Sequence, residues 1–221
     1  MKAAAIIPAY NEAPTVAKVI RAAQAAPSIS EVIVADGESV DGTPDIARAE
    51  GARVVSVAGG KGEGMAAGVA ATDADVIVFL DADLTGLRPD HVERLVRSVT
   101  EDGAGMALGL FDRGRWLNPI FLHLLPRLTG ERALRRELFT SLSPKDCRGY
   151  RVEAALNSRA AELGERVEAY VLDGMFHRTK EEKHGNPVLG FAKKVAMLSV
   201  AVWEYLAYQL RRRVRLSGRG G

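Results

Sequence analysis

The chain has 221 residues, of which 47% are hydrophobic and 26% are charged, and its formal net charge is +2. This length and composition are typical of one soluble globular domain, and the small net charge argues against a general nucleic-acid-binding protein. Cys147 is the only cysteine, which excludes an intrachain disulfide and a thiolate metal cluster and favours a cytoplasmic location. The N-terminal stretch MKAAAIIPAYNE reaches Pro8 and Glu12 too early for a signal peptide.

The first part of the chain alternates between apolar strand patterns and helical patterns. The strand patterns lie at 3–7, 31–35, 53–57, 76–80 and 106–111, and the helical patterns lie between them at 13–26, 43–50, 64–71 and 91–100. Strands separated by helices predict an α/β fold with a Rossmann-like, mostly parallel sheet and helices on both of its faces.

Beyond Phe111 this alternation is lost. The sequence predicts a helix at 152–163, a strand at 166–172 and a long helix at 188–213. The change of pattern indicates a nucleotide-binding half followed by an acceptor half within one domain.

Polar motifs follow the first four predicted strands. They are PAYNE at 8–12, DGES at 36–39, GGKGEG at 59–64 and DAD at 81–83. In an open parallel sheet, ligands bind beyond the carboxyl ends of the strands. We therefore expect the four loops to meet in one ligand-binding crevice.

Asp81 and Asp83 directly follow the buried strand pattern VIVFL. Residues i and i+2 of an extended segment point the same way, so both carboxylates can share a hard cation, or one can bind a sugar hydroxyl while the other binds the cation. Oxygen ligands of this kind favour Mg²⁺ or Mn²⁺. The alternative is a solvated turn in which an aspartate caps a helix.

Three further candidates each have an alternative explanation. Lys61 and the backbone amides of its glycine-rich loop either approach a diphosphate or form a surface turn. Asp36 either accepts a hydrogen bond from a nucleotide base or caps a turn with Gly37. His177, beyond the last predicted strand, either joins Asp83 at the cation or has a structural or exposed position.

Four motifs resemble those of the GT-A glycosyltransferases of family 2: IPAYNE at 7–12, VADGESVDGT at 34–43, GKGEG at 60–64 and FLDADL at 79–84. LTGERALRREL at 128–138, GYRVEAAL at 149–156 and HR at 177–178 resemble the branch that contains glucosyl-3-phosphoglycerate synthases and dolichyl- or polyprenyl-phosphate sugar transferases. The resemblance implies a GT-A domain over 1–187, with a nucleotide-sugar-binding half at 1–111 and an acceptor half at 112–187. It also implies metal-dependent transfer of a sugar from a UDP- or GDP-sugar to a phosphorylated acceptor, such as 3-phosphoglycerate or a polyprenyl phosphate, with Mg²⁺ or Mn²⁺ as cofactor.

The resemblance further implies roles for individual residues. The donor-binding residues would be Pro8, Ala9, Tyr10, Glu12, Asp36, Gly37, Ser39, Lys61, Asp81 and Ala82. Asp83 and His177 would bind the cation. Thr129, Gly130 and Arg132 would bind the anionic acceptor, because a guanidinium matches phosphate geometry. The catalytic set would be Asp81, Asp83, Arg132 and Glu153, with Glu153 as a base or as a group that orients the acceptor.

Several alternatives stay open at this point. Many family members carry DDGS after the second strand, whereas this chain has Ala35 and Asp36 followed by GES, so the preference for UDP or GDP is undecided. Residues 129–138 alternatively begin an ordinary amphipathic helix. The chain is alternatively a sugar-phosphate nucleotidyltransferase, although those enzymes usually carry a glycine-rich basic loop where this chain has PAYNE. A third possibility is a non-catalytic nucleotide-sugar-binding protein.

The predicted C-terminal helix is apolar but is interrupted by Lys193, Lys194 and Glu204, so its charge-free run is too short to span a bilayer. Trp203 lies shortly before the basic run 211–213, as in helices that rest on anionic lipid at the membrane surface. The helix alternatively packs on the core or forms a homodimer.

Overall fold

The computed structural model describes residues 1–112, 129–147, 149 and 151–177. Residues Met1–His177 form one compact unit. The predicted C-terminal helix and the predicted domain boundary after residue 187 lie outside the described residues. Within the described ranges, no helix has the length and apolarity that crossing a membrane requires.

The described part of the chain contains nine strands and six helices. The strands are β1 Ala3–Ala9, β2 Ile29–Asp36, β3 Arg53–Ser56, β4 Val76–Phe79, β5 Leu84–Thr85, β6 Met106–Phe111, β7 Arg132–Arg135, β8 Val167–Leu172 and β9 Phe176–His177. The helices are α1 Val16–Gln24, α2 Thr43–Ala49, α3 Lys61–Ala70, α4 Pro89–Thr100, α5 Arg136–Thr140 and α6 Arg151–Glu162. Each predicted strand and helix within these ranges is confirmed, with small shifts at its ends.

Seven strands form one sheet in the order β3-β2-β1-β4-β7-β6-β8, and β5 pairs with β9 in a separate ribbon. All neighbours in the large sheet are parallel except β7, which runs antiparallel to β4 and to β6. The mostly parallel α/β sheet predicted from the sequence is therefore confirmed. The alternative in which residues 129–138 begin a helix is wrong, because Arg132–Arg135 is a central strand and the helix begins only at Arg136.

Helices cover both faces of the sheet, and the side chains of the strands alternate between the two faces. Ala3, Ala5 and Ile7 of β1 belong to the same buried cluster as residues of α1, α2 and α4. Ala4 and Ile6 belong to a second cluster with residues of α3, α5 and α6. This burial on both faces explains why the parallel strands read as continuous apolar runs.

Helix α3 begins at Lys61, three residues before its predicted start, so most of the GGKGEG motif is the first turn of a helix. Its glycines allow close packing. A Cβ on Gly68 would overlap Ile6 Cγ2, and a Cβ on Gly62 would overlap the carbonyl oxygen of Cys147. The glycines therefore bring the start of α3, with Lys61, close to the sheet and to the segment before α6.

We expect Gly68→Ala to destabilise the fold by roughly 1–3 kcal/mol, because the new methyl group overlaps a stiff, fully buried isoleucine. Gly64→Ala in the same helix is the matched control. A Cβ there would lie 3.5 Å from Pro8 Cβ, an ordinary contact, and alanine favours a helix by up to about 1 kcal/mol over glycine. Urea denaturation of both variants measures the difference, and equal stability of the two variants would contradict this packing explanation.

Candidate active site at the carboxyl edge of the sheet

The ends of the first three strands lie side by side. Ala9 at the end of β1 pairs with Asp36 at the end of β2, and Asp36 pairs with Ser56 at the end of β3. The adjacent strand β4 ends at Phe79 and leads directly into Asp81. The predicted meeting of strand ends at one edge is therefore what the structure shows.

The loops after β1 and β2 are joined by hydrogen bonds. Asn11 N–H donates to Ser39 Oγ (2.9 Å), Glu12 N–H donates to Thr43 Oγ1 (2.9 Å), and Val40 N–H donates to Asn11 Oδ1 (3.0 Å). The Gly37 N–H donates to Ala9 O (2.8 Å). The two loops form one wall of the site, with the side chain of Tyr10 largely exposed.

Asp36 is 3% exposed, and its two carboxylate oxygens differ. Oδ2 accepts a hydrogen bond from Ser39 N–H (3.1 Å), whereas buried Oδ1 has no partner among the described residues. A buried acceptor without a donor costs free energy, so this oxygen favours a donor from a ligand. Ala35, which replaces the first aspartate of the common motif, is buried with its Cβ facing Gly64 of α3.

Lys61 lies between two carboxylates from distant parts of the chain. Its Nζ is 2.6 Å from Asp81 Oδ1 and 2.8 Å from Glu153 Oε1, and all three side chains are only about one-fifth exposed. Burial alone would lower the pKa of Lys61, but Asp81, Glu153 and Glu131 outweigh it and raise the pKa above its usual value. Lys61 therefore stays protonated and joins the ends of α3, β4 and α6.

The segment before β7 packs against this ion pair. A Cβ on Gly130 would lie 2.6 Å from Lys61 Nζ and 2.8 Å from Asp81 Oδ2, so a larger residue there would displace the ion pair. The hydroxyl of Thr129, which is 3% exposed, lies 2.5 Å from Gly109 O and 2.6 Å from Glu131 Oε2. Thr129 and Gly130 thus form a buried support behind the Lys61–Asp81 pair.

The position of Arg132 does not suit the acceptor-binding role that was predicted for it. The residue is fully buried, and its guanidinium donates to the carbonyl oxygens of Thr129 and of Glu153 (3.3 Å for the latter). Burial lowers the pKa of Arg132, and the carboxylates of Glu153, Glu131 and Asp81 oppose that change. The prediction of a guanidinium that grips the acceptor is therefore corrected, because β7 is a central strand and carries Arg132 into the interior.

The acidic turn leads from β4 into the small ribbon. Ala82 is buried, Asp83 is half-buried, and Leu84 pairs antiparallel with His177. The backbone of His177 thus lies opposite the residue that follows Asp83. In the part of the chain that the structure describes, no group of three acidic, histidine or cysteine side chains forms a metal site by itself. Mg²⁺ is often held by one or two carboxylates together with substrate phosphates.

The edge is rich in carboxylate oxygens. Asp81, Glu131 and Glu153 lie around Lys61 and Arg132, and half-buried Asp83 follows Asp81 by two residues. Carboxylate oxygens are the ligands that Mg²⁺ and similar hard cations prefer, so the donor set fits a divalent cation.

A mixed α/β sheet with an acidic turn at the carboxyl edge defines a GT-A type of nucleotide-sugar-binding fold. Glucosyl-3-phosphoglycerate synthase from Mycobacterium tuberculosis, solved with Mn²⁺, UDP and glucosyl-3-phosphoglycerate, is 31% identical in sequence with a TM-score of 0.74, over 93% of this chain and 79% of that chain. The same enzyme solved with Mg²⁺ and UDP has a TM-score of 0.75 at 30% identity, over 96% of this chain and 79% of that chain. These likenesses confirm the fold predicted from the sequence.

The family model "Glycosyl transferase family 2" matches residues 4–157, and the chain belongs to this family. Among curated relatives, glucosyl-3-phosphoglycerate synthase of M. tuberculosis is 34% identical over 190 residues, covering 68% of this chain and 58% of the relative. The enzyme of that name from Mycolicibacterium smegmatis is 33% identical over 187 residues, covering 68% of this chain and 61% of the relative. The chain thus spans less than two-thirds of the length of these relatives.

We expect Lys61→Met to destabilise the fold by roughly 2–4 kcal/mol, because it leaves mostly buried carboxylates without their cation. The pKa of Lys61 is raised, so its contribution is complete below the usual lysine pKa and is lost only as pH rises through the folded-state pKa. The loss should therefore be constant from about pH 7 to about pH 9.

Lys18→Met, at an exposed position of α1, is the control and should have little effect. The double variant Lys61→Met with Glu153→Gln should be more stable than the sum of the single losses predicts, because the two side chains interact directly. Urea denaturation of the wild type, both single variants, the double variant and the Lys18→Met control measures these differences, and strict additivity would contradict the ion-pair explanation.

Proposed function

We propose that this chain is a metal-dependent glycosyltransferase that moves a sugar from a nucleotide-diphosphate sugar to a phosphorylated acceptor. The observation that carries the proposal is the acidic turn Asp81–Asp83, which follows β4 at the carboxyl edge, contacts Lys61 and continues into the ribbon with His177. The relatives named glucosyl-3-phosphoglycerate synthase support the proposal. One of them was solved with Mn²⁺, UDP-glucose and phosphoglyceric acid, and a second structure of it contains glycerol 3-phosphate instead of phosphoglyceric acid. We favour a UDP-sugar and a small phosphorylated acceptor over a GDP-sugar or a polyprenyl phosphate for this reason.

The wall formed by the first two loops is the proposed donor site. Asp36 has a buried acceptor oxygen that a base N–H can satisfy, and the exposed ring of Tyr10 can contact the base or the ribose. The proposed lining is completed by Pro8, Ala9, Glu12, Gly37, Ser39 and Ala82. Because Ala35 is committed to packing against α3, recognition of the base depends on Asp36.

Asp83 and His177 are the proposed ligands of Mg²⁺ or Mn²⁺, and the diphosphate of the donor would complete the site. A bound divalent cation supplies Lewis-acid stabilisation of the negative charge that develops on the leaving nucleoside diphosphate. Asp81, held by Lys61, orients the ribose side of the donor. Lys61 in turn places a fixed positive charge at the edge where the diphosphate leaves.

On the acceptor side, Glu153 projects from the first turn of α6 and Gly130 leaves room beside Lys61. We propose that Glu153 orients the acceptor, whose phosphate group is anionic already. Thr129 supports this side from beneath, since its hydroxyl is engaged with Gly109 and Glu131. The contact with anionic lipid or the homodimer predicted for residues 188–221 stays a prediction.

Asp83→Asn should lower kcat by about 100-fold or more, because the cation that stabilises the leaving group loses a charged ligand. The assay is transfer from radiolabelled UDP-glucose to 3-phosphoglycerate with Mn²⁺, and chelation with EDTA should give the same loss. Asp73→Asn, at an exposed position before the other end of β4, is the matched control and should keep full activity. Full activity of Asp83→Asn, or the absence of any glycoside product from the wild type, would overturn the proposal.

Asp36→Asn should weaken binding of UDP-glucose about tenfold or more, since a charged acceptor for the base N–H is replaced by a neutral amide. Calorimetry with Mn²⁺ present measures the affinity, and a thermal-shift panel of UDP-, GDP- and ADP-sugars shows which base is preferred. Asp45→Asn, an exposed position on α2, serves as the control. Unchanged affinity for every nucleotide sugar would remove Asp36 from the donor site.

A further inference from the structure

Arg132 connects two segments that lie against the central ion pair. It is the first residue of β7, and it pairs with Phe79 of β4 on one side and Leu108 of β6 on the other. From this buried position its guanidinium donates to Thr129 O in the segment before β7 and to Glu153 O in the first turn of α6. One side chain therefore links the start of β7 to the start of α6.

Both linked segments contact the ion pair of Lys61 and Asp81. Gly130 follows Thr129 and lies so close that a Cβ would be 2.6 Å from Lys61 Nζ. The Glu153 side chain accepts a hydrogen bond from the same Nζ at 2.8 Å. A shift of either segment would change the surroundings of Lys61, and through Lys61 the orientation of Asp81.

Arginine suits this task because its planar fork has five donors in fixed directions and can reach two diverging carbonyl oxygens at once. A lysine ammonium in the same place keeps the charge, but it is a point donor on a flexible stem and does not fix two segments together. Arg132 is fully buried, so its guanidinium acts on these two backbone carbonyls rather than on a group at the surface.

We propose that Arg132 is a positioning residue, which acts without touching the substrate by holding Thr129–Gly130 and the start of α6 around the Lys61 ion pair. The kinetic part of this inference rests on the proposed glycosyltransferase activity. The structural part does not, because the state of Lys61 can be measured without any substrate.

The test uses the full chain with Arg132→Lys, which keeps the charge and removes the fork. In transfer assays, kcat should fall by about 100-fold with the KM for the phosphorylated acceptor unchanged, since misplacement of about 1 Å costs this much. In the substrate-free protein, Lys61 should react faster with an N-hydroxysuccinimide ester, because carboxylates that are held less closely stabilise its ammonium form less. A fall of one unit in the pKa of Lys61 raises its fraction of reactive free amine about tenfold, so the acylation rate, read by mass spectrometry, should rise about tenfold relative to exposed Lys18.

Arg136→Lys is the matched control. Arg136 also donates to a backbone carbonyl, that of Thr72, but this carbonyl lies before the opposite end of β4. Its kcat and its Lys61 acylation rate should stay at the wild-type values, even if its melting temperature falls as much as that of Arg132→Lys.

Three results would overturn the proposal. A raised acceptor KM with retained kcat and unchanged Lys61 acylation would mean that Arg132 binds the acceptor directly. Equal effects of Arg132→Lys and Arg136→Lys on kcat and on Lys61 acylation would mean that Arg132 only contributes to the stability of the fold. Failure of both Arg132→Lys and Arg132→Gln to fold would mean the same. If the wild type transfers no sugar, the proposed function fails, while the acylation rates still decide the positioning role.

Discussion

The ion pairs of Lys61 are the interaction on which the arrangement of the site depends. A lysine ammonium that is about four-fifths buried needs counter-charges close to it, and Asp81 and Glu153 supply them at 2.6 and 2.8 Å. These residues come from the start of α3, the end of β4 and the first turn of α6. Satisfying one charge therefore brings three elements to the same edge of the sheet, next to the acidic turn.

The packing around Lys61 is adapted to this arrangement. Gly62 lets the start of α3 approach the segment before α6, and Gly130 lets the chain pass beside the ion pair without a side chain. Glu63 Oε2 accepts hydrogen bonds from Gly60 N–H (3.1 Å) and Gly149 N–H (3.2 Å), which ties the same two regions together. The antiparallel strand β7 then brings Arg132 beneath the pair, where it holds both neighbouring backbones.

The chain belongs to glycosyl transferase family 2 and shares the fold of the solved synthases. The loop after β2 has a distinct arrangement of its own. Ala35 packs on α3, and Asp36 keeps one buried oxygen without a partner among the described residues, so the proposed contact with the base depends on this single carboxylate. At the edge of β4, the carboxylate oxygens of the acidic turn agree with a proposed divalent cation.

The amino-acid sequence by itself determined the order of strands and helices in the first half and the four polar motifs at the strand ends. This was possible because apolar periodicity and the residues that end a strand are local signals. Only the tertiary structure decided that GGKGEG is the start of a helix, that Lys61 pairs with Glu153, and that Arg132 lies in the core. These depend on contacts between residues far apart in the chain, and on the antiparallel insertion of β7 between β4 and β6, which local patterns do not encode.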